Sequence, residues 1–208
     1  LERAKEQGIG HYFVPRYTRV VDTAESKDNI NKAYNLISTS KVRNEMIIDD
    51  VITCVARKQT PVILTRFKEH AKFLHDALKE KADHVFLLYG DNSDKENAEI
   101  RVKLKQIPEN ESLILVATGQ KIGEGFDFPR LDVLMLAAPV SFEGRLEQYV
   151  GRLNRDYVGK EAVYVYDYID SHVRYFDKMY AKRLRTYRKM GFSIWTQELQ
   201  PKQIINAI

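Results

Sequence analysis

The stretch Gln148-Tyr149-Val150-Gly151-Arg152-Leu153-Asn154-Arg155 carries two arginines three residues apart. On a helix that spacing puts both guanidinium groups on one face, and Gly151 removes a side chain beside them. Planar forks that stay charged whatever their burial suit the oxygens of a polyphosphate. The same pair could instead form a solvated basic face paired to Glu147 or Asp156. A second stretch, running from Thr118 through Gly119, Gly123, Gly125 and Asp127 to Pro129, is rich in glycine. Glycines let backbone approach a phosphate, Thr118 offers a hydroxyl and Asp127 an acceptor; a flexible surface loop would have the same composition. A third, Leu64-Thr65-Arg66-Phe67, gathers a hydroxyl, a cation and a ring, and by itself argues more for plain structure than for a site.

The scaffold that must hold these stretches reads as α/β. Short Val/Ile/Leu-rich runs at 62–65, 85–89, 113–117, 133–137 and 162–168 are nearly continuous in apolar residues, as strands buried on both faces should be. Between them lie helical periods: Phe67, Ala71, Leu74 and Leu78; Ile100, Leu104 and Ile107, opened by a Ser93/Glu96 capping box; and Leu146, Tyr149, Val150 and Leu153. Ahead of the sheet, Val42, Met46, Ile47, Val51 and Val55 predict an amphipathic helix that Pro61 forbids from continuing. The acidic pair Asp49-Asp50 falls in that period and reads as a solvated face; His70 and His75, not at metal-ligand spacing, read as helix-surface residues. In such sheets ligands gather at the carboxyl ends of the strands. The expectation is that Arg152 and Arg155 project from that edge.

Composition bounds the rest. At 208 residues, 44% apolar and 30% charged, the chain is long enough to bury a core and argues for one folded domain with trimmings. Residues 1–38 are expected to be a connector with an edge strand near 17–21, 39–170 the domain proper, and 171–208 a basic helical extension stopped by Gly191. The excess of 33 basic over 29 acidic residues is mild, but the segment from Arg174 to Lys189 is a local basic stripe that could extend a nucleic-acid track or pack on a partner domain. A lone Cys54 excludes an internal disulfide and a multi-thiolate zinc site and suits a reducing compartment. No apolar run reaches the ~20 residues of a membrane span, so cytoplasm is the expectation. The chain opens on Leu1 rather than Met, which suggests a piece of a longer protein.

Taken in order, the stretches resemble the C-terminal RecA-like domain of superfamily 2 helicases and translocases, over roughly 60–168. Residues 61–74 look like motif IV and its helix, and 89–96 like the family's next loop. Residues 117–129 look like motif V, and Gln148 to Arg155 like motif VI, Q-x-x-G-R-x-x-R. The likeness is nearer restriction- and repair-type translocases than DEAD-box RNA helicases. It implies a RecA-like three-layer domain with a mostly parallel central sheet flanked by helices. It further implies that Arg152 and Arg155 are arginine fingers and that Gln148 helps position them. Asp127, with Gly125, Gly123 and Gly151, would border the nucleotide; Thr118, Thr65 and Arg66, with Gly90, would touch nucleic acid, DNA before RNA. Two departures stand out: the 118–125 loop is one residue longer than the commonest motif V, and Tyr149 replaces a frequent Arg.

No Gly-Lys-Ser or Gly-Lys-Thr occurs, so no P-loop does. ATP and Mg²⁺ are therefore expected to be held mainly by a first motor domain upstream, leaving this chain inactive alone. A non-catalytic RecA-like module binding nucleic acid or a partner is the principal rival, disfavoured by the presence of both arginines. A small-molecule enzyme would need a dinucleotide fingerprint or an acid/base set, and neither is present.

Overall fold

A computed structural model of the chain describes residues 8–123, 126–140 and 143–195. Its strands are β1 (Gly10–Tyr17), β2 (Pro61–Thr65), β3 (His84–Leu88), β4 (Leu113–Thr118), β5 (Val133–Leu136), β6 (Ala162–Ile169) and β7 (Ser193–Ile194). The helices are α1 (Ile30–Ser38), α2 (Lys41–Ala56), α3 (Lys68–Leu78), α4 (Asp94–Gln106), α5 (Gly119–Gly123), α6 (Glu143–Leu153) and α7 (Arg174–Lys189). The strands form one sheet in the order β3-β4-β2-β5-β6-β1-β7, with every pairing parallel rather than most of them.

Side-chain alternation along the strands sorts the helices into two layers. Val62, Leu64, Leu115, Leu134, Val163 and Val165 face Leu104 of α4, Ile122 of α5, Leu146 and Val150 of α6 and Tyr187 of α7. Ile63, Val116, Met135, Tyr166 and Tyr168 face Ile47 and Val51 of α2 and Leu74 and Leu78 of α3. Both faces are covered, which is why β2 is buried at all five positions. The capping box at Ser93 and Glu96 forms as the sequence predicts. Helix α2, however, ends before Pro61 can act. Lys58 takes φ 60, and Gln59 N donates to Cys54 O while Lys58 N donates to Val55 O, a Schellman stop. Gly191, at φ 76, closes α7 in the same way.

Two segments expected at the periphery lie inside the fold. The first strand spans Gly10–Tyr17, not 17–21, and it sits between β6 and β7 instead of at an edge. Helix α7 is packed on the sheet through its inner face. Phe176, Arg183 and Tyr187 dock it on the sheet, and β7 follows it to pair with β1.

Charged pairs lock the end of β6. Arg183 grips buried Asp167 through Nε and Nη2, both at 2.8 Å, and the Tyr187 hydroxyl donates to the same carboxylate at 2.7 Å. On the other face Arg43 grips Asp170 at 3.0 and 3.1 Å and donates to Ala137 O. Asp50 does not belong to a solvated face. It is 3% exposed and accepts from Arg16 Nε at 3.0 Å and from the Tyr168 hydroxyl at 2.9 Å, whereas Asp49 is exposed. His70 is likewise buried, because its helical turn faces the strand end and not solvent.

Candidate functional site

The expected residues fall into two groups at different places in the fold. The first lies at the carboxyl edge. Thr65 and Thr118 are cross-strand partners at the ends of β2 and β4, and Gly90 follows β3, whose Leu88 pairs with Ala117. The topology therefore brings three neighbouring strand ends together. Thr65 itself is turned inward: it is 4% exposed, and its hydroxyl meets His70 Nδ1 at 2.5 Å. His70 Nε2 lies 2.7 Å from Asn44 Oδ1, so the ring must be an Nε2–H tautomer that accepts the Thr65 proton on Nδ1. Burial, and then the nearby Arg43 charge, lower the His70 pKa to about 3 and keep the ring neutral. Arg66 points out and lies over the Tyr34 ring, 4.4 Å from its centroid. Tyr34 comes from α1 and packs against Phe67 and Phe176. Beside Gly90, Lys68 bridges to Asp91 at 3.3 Å.

The second group lies on the helical layer. Helix α6 starts near the carboxyl edge and runs back, so Arg152 stands on its last turn toward the opposite edge, contrary to the expected placement. Two contacts fix that end: His11, at the amino end of β1, meets Asn154 at 2.8 Å, and Lys160, just before β6, donates to Leu153 O at 2.7 Å. The helix also stops at Leu153, so Arg155 is beyond it and the same-face argument does not apply. Asp127 descends to this place from the glycine turn. Phe126 and Phe128, 2% and 6% exposed, are driven into the core and leave Asp127 between them pointing outward. Arg155 Nη2 meets Asp127 Oδ2 at 3.2 Å, with both side chains about half exposed at 56% and 52%. Beyond Asp127 is a shallow hollow lined by Arg101, Leu104 and Lys105 of α4. Gln148 is exposed one turn before the half-buried Arg152, and Gly151 is exposed with open space where a Cβ would stand.

Lys160, which sequence reasoning missed, and Tyr149, which it placed in the inner period of its helix, hold these parts in place. Lys160 Nζ donates to Pro129 O at 2.6 Å, Leu153 O at 2.7 Å and Arg155 O at 2.9 Å, tying the segment with Asp127 to the one with Arg155. Burial lowers its pKa to about 8, against the opposing pull of Asp132 and Asp156. The only sequence sign of it is a lysine after a turn glycine, Gly159 at φ 82. Tyr149 is the other. It is 7% exposed, and a Cβ at Gly119 would strike its hydroxyl, so the glycine after Thr118 admits the ring. Gly123 closes α5, and Gly125 lies outside the described residues. Among the described residues no group of three or more His, Cys, Asp or Glu could hold a metal, and no helix is long and apolar enough to cross a membrane.

The chain has the RecA-like fold of the C-terminal domains of solved helicase and ATPase structures. It is similar to T4 UvsW, with a TM-score of 0.69 at 20% identity over 91% of this chain and 41% of that one. It is also similar to Saccharomyces cerevisiae Dbp5 bound to RNA and ADP BeF3, with a TM-score of 0.54 at 14% identity over 91% of this chain and 41% of that one. Among curated proteins it is 29% identical to transcript termination protein A18 of Yaba-like disease virus, over 77% of this chain and 35% of that one. It is 33% identical to putative helicase 161L of invertebrate iridescent virus 6, over 56% of this chain and 22% of that one. No family model matches. The chain spans about a third of the length of the A18 proteins it matches.

Proposed function

We propose that this chain is the second motor domain of an ATP-dependent nucleic-acid helicase or translocase, completing an ATPase site that it does not form alone. The observation that carries the reading is the meeting of Arg155 with Asp127 at the surface, with Arg152 and Gln148 on the adjoining turn. The residues fit the periphery of a nucleotide: Arg152 and Arg155 would bind phosphate oxygens, Asp127 would accept from ribose hydroxyls, and Gly151 leaves room for close approach. Magnesium and the water-activating acid would belong to the other motor domain. For Arg155 to act as a finger it must leave Asp127. A half-exposed pair is worth about 0–1 kcal/mol, whereas a finger contributes about 10³- to 10⁵-fold, or about 4–7 kcal/mol, so the exchange is favourable.

Nucleic acid would lie across the carboxyl edge, on Arg66, Thr118 and the backbone at Gly90. Thr65 would serve there through its position and its backbone, because its hydroxyl is taken by His70. Contacts of this kind favour backbone over sequence. DNA is the first reading of the track; relatives named for transcript termination make RNA the second arm of the test. The experiment measures ATP hydrolysis by the parent chain with and without single-stranded DNA or RNA, and by Arg152→Ala and Arg155→Ala versions. Loss of about 10³-fold or more in either variant is the expected result. Equal rates in parent and variants would discard the finger assignment, and robust hydrolysis by residues 1–208 alone would discard the two-domain reading.

A further inference from the structure

We infer that the outer face of α7 is a second nucleic-acid surface, one that holds the phosphate backbone irrespective of base sequence. This rests on the proposed function only in taking nucleic acid as the partner. Arg174, Lys178, Lys182, Arg185 and Lys189 follow one another at spacings of four, four, three and four, so they form one stripe with Arg188 beside it, and all six are exposed. The opposite side of the helix is buried through Phe176, Arg183, Thr186 and Tyr187. The seventh cation, Arg183, is consumed by Asp167. Every remaining one points outward.

A solvated face is the ordinary use of helix charges, and the other helices show what that looks like here. Helix α4 mixes four basic residues with three acidic ones, and α2 mixes two with three. Helix α7 has seven against one, Asp177. The whole chain has 33 basic and 29 acidic residues, so everything outside α7, with 26 and 28, is net −2. The positive excess of this protein is thus located on one helix. Among the described residues, Lys189 reaches Glu147 at 3.8 Å, while Arg174, Lys178, Lys182, Arg185 and Arg188 have no carboxylate partner within 4.0 Å.

Placement agrees with charge. Helix α7 begins just past the carboxyl end of β6 and packs beside α6, so the stripe leads from the edge that carries Arg66 and Thr118 down the flank of the domain. Sixteen residues of helix span about 22–24 Å. At the axial rise of about 3.4 Å per phosphate of a duplex strand, that length spans about six or seven phosphates, and fewer on an extended single strand.

The test titrates residues 1–208 with a labelled single-stranded DNA and RNA of mixed sequence between about 50 and 200 mM salt. It compares the unaltered chain with the triple variant Lys178→Gln/Lys182→Gln/Arg185→Gln and with Arg66→Gln. Thermal unfolding checks that the exposed substitutions leave the fold intact. In the triple variant the slope of log affinity against log salt should become shallower by about 2, about 0.7 for each lost phosphate contact on a single strand. Affinity at the lowest salt should fall at least tenfold. An unchanged slope and affinity would overturn the inference, as would absence of binding by the unaltered chain, or competition by polyglutamate at equal charge. Loss in the triple variant without loss in Arg66→Gln would keep the stripe and remove the carboxyl-edge contact instead.

Discussion

Acid should destabilise this domain in part through one buried imidazole. His70 is 4% exposed, bonded to Thr65 and Asn44, and has a pKa lowered from 6.5 to about 3 by burial and by Arg43. The folded state thus resists a proton that the unfolded chain takes up once pH falls below 6.5. A depressed folded pKa makes stability fall as pH drops through the window from 6.5 to about 3. Two units into that window, near pH 4.5, the difference amounts to about 2.7 kcal/mol at about 1.36 kcal/mol per unit. His70→Gln removes the titration and keeps a side chain able to donate and accept. Asp132, whose burial raises its pKa to about 6, acts in the opposite sense over part of the same range but is common to both proteins. Urea denaturation at pH 7, 5.5 and 4.5 is the assay. The parent should lose about 2–3 kcal/mol more than His70→Gln between the extremes. Parallel stability curves would refute the neutral, locked imidazole and with it the account of Thr65 as a structural hydroxyl.

Further outcomes follow from other contacts. Lys160→Met should destabilise by about 1–2 kcal/mol, because charge-assisted bonds to three carbonyls are lost at a half-exposed site. Amide exchange should quicken at 153–156 before it does in β2, and uniform exchange would contradict the clamp. Gly119→Ala should cost about 1–3 kcal/mol through the clash with Tyr149, and Tyr149→Phe in the same chain should restore most of it. Strict additivity in denaturant titrations of the four proteins would show that the two residues do not touch. Arg183→Met strands Asp167 in the core and should cost about 3–5 kcal/mol; adding Asp167→Asn should recover part of that in thermal melts.

Periodicity was enough for β2 to β6 and for helices α2, α3, α4 and α6. Strands buried on both faces must be apolar throughout, and the runs at 62–65, 113–117 and 162–168 match β2, β4 and β6 to within a residue at either end. Strand β1 was illegible because Gly10–Tyr17 mixes polar and apolar residues, and its place beside β6 depends on pairing across some 150 residues of chain. Composition likewise announced the basic segment, but whether its cations face in or out depended on Asp167, whose partner Arg183 is one turn among several equivalent ones in the sequence.

The candidate site divides in the same way. Residue types and their order along the chain singled out arginines, a carboxylate and strand-end hydroxyls as candidates, since chemistry resides in side chains. Tertiary structure alone decided where they stand. Helix α6 carries Arg152 away from the carboxyl edge, the Phe126 and Phe128 anchors turn Asp127 toward Arg155, and His70 takes the Thr65 hydroxyl inward. Each of those outcomes is set by contacts between segments far apart in sequence or by the direction of a helix after its strand, which local spacing does not encode.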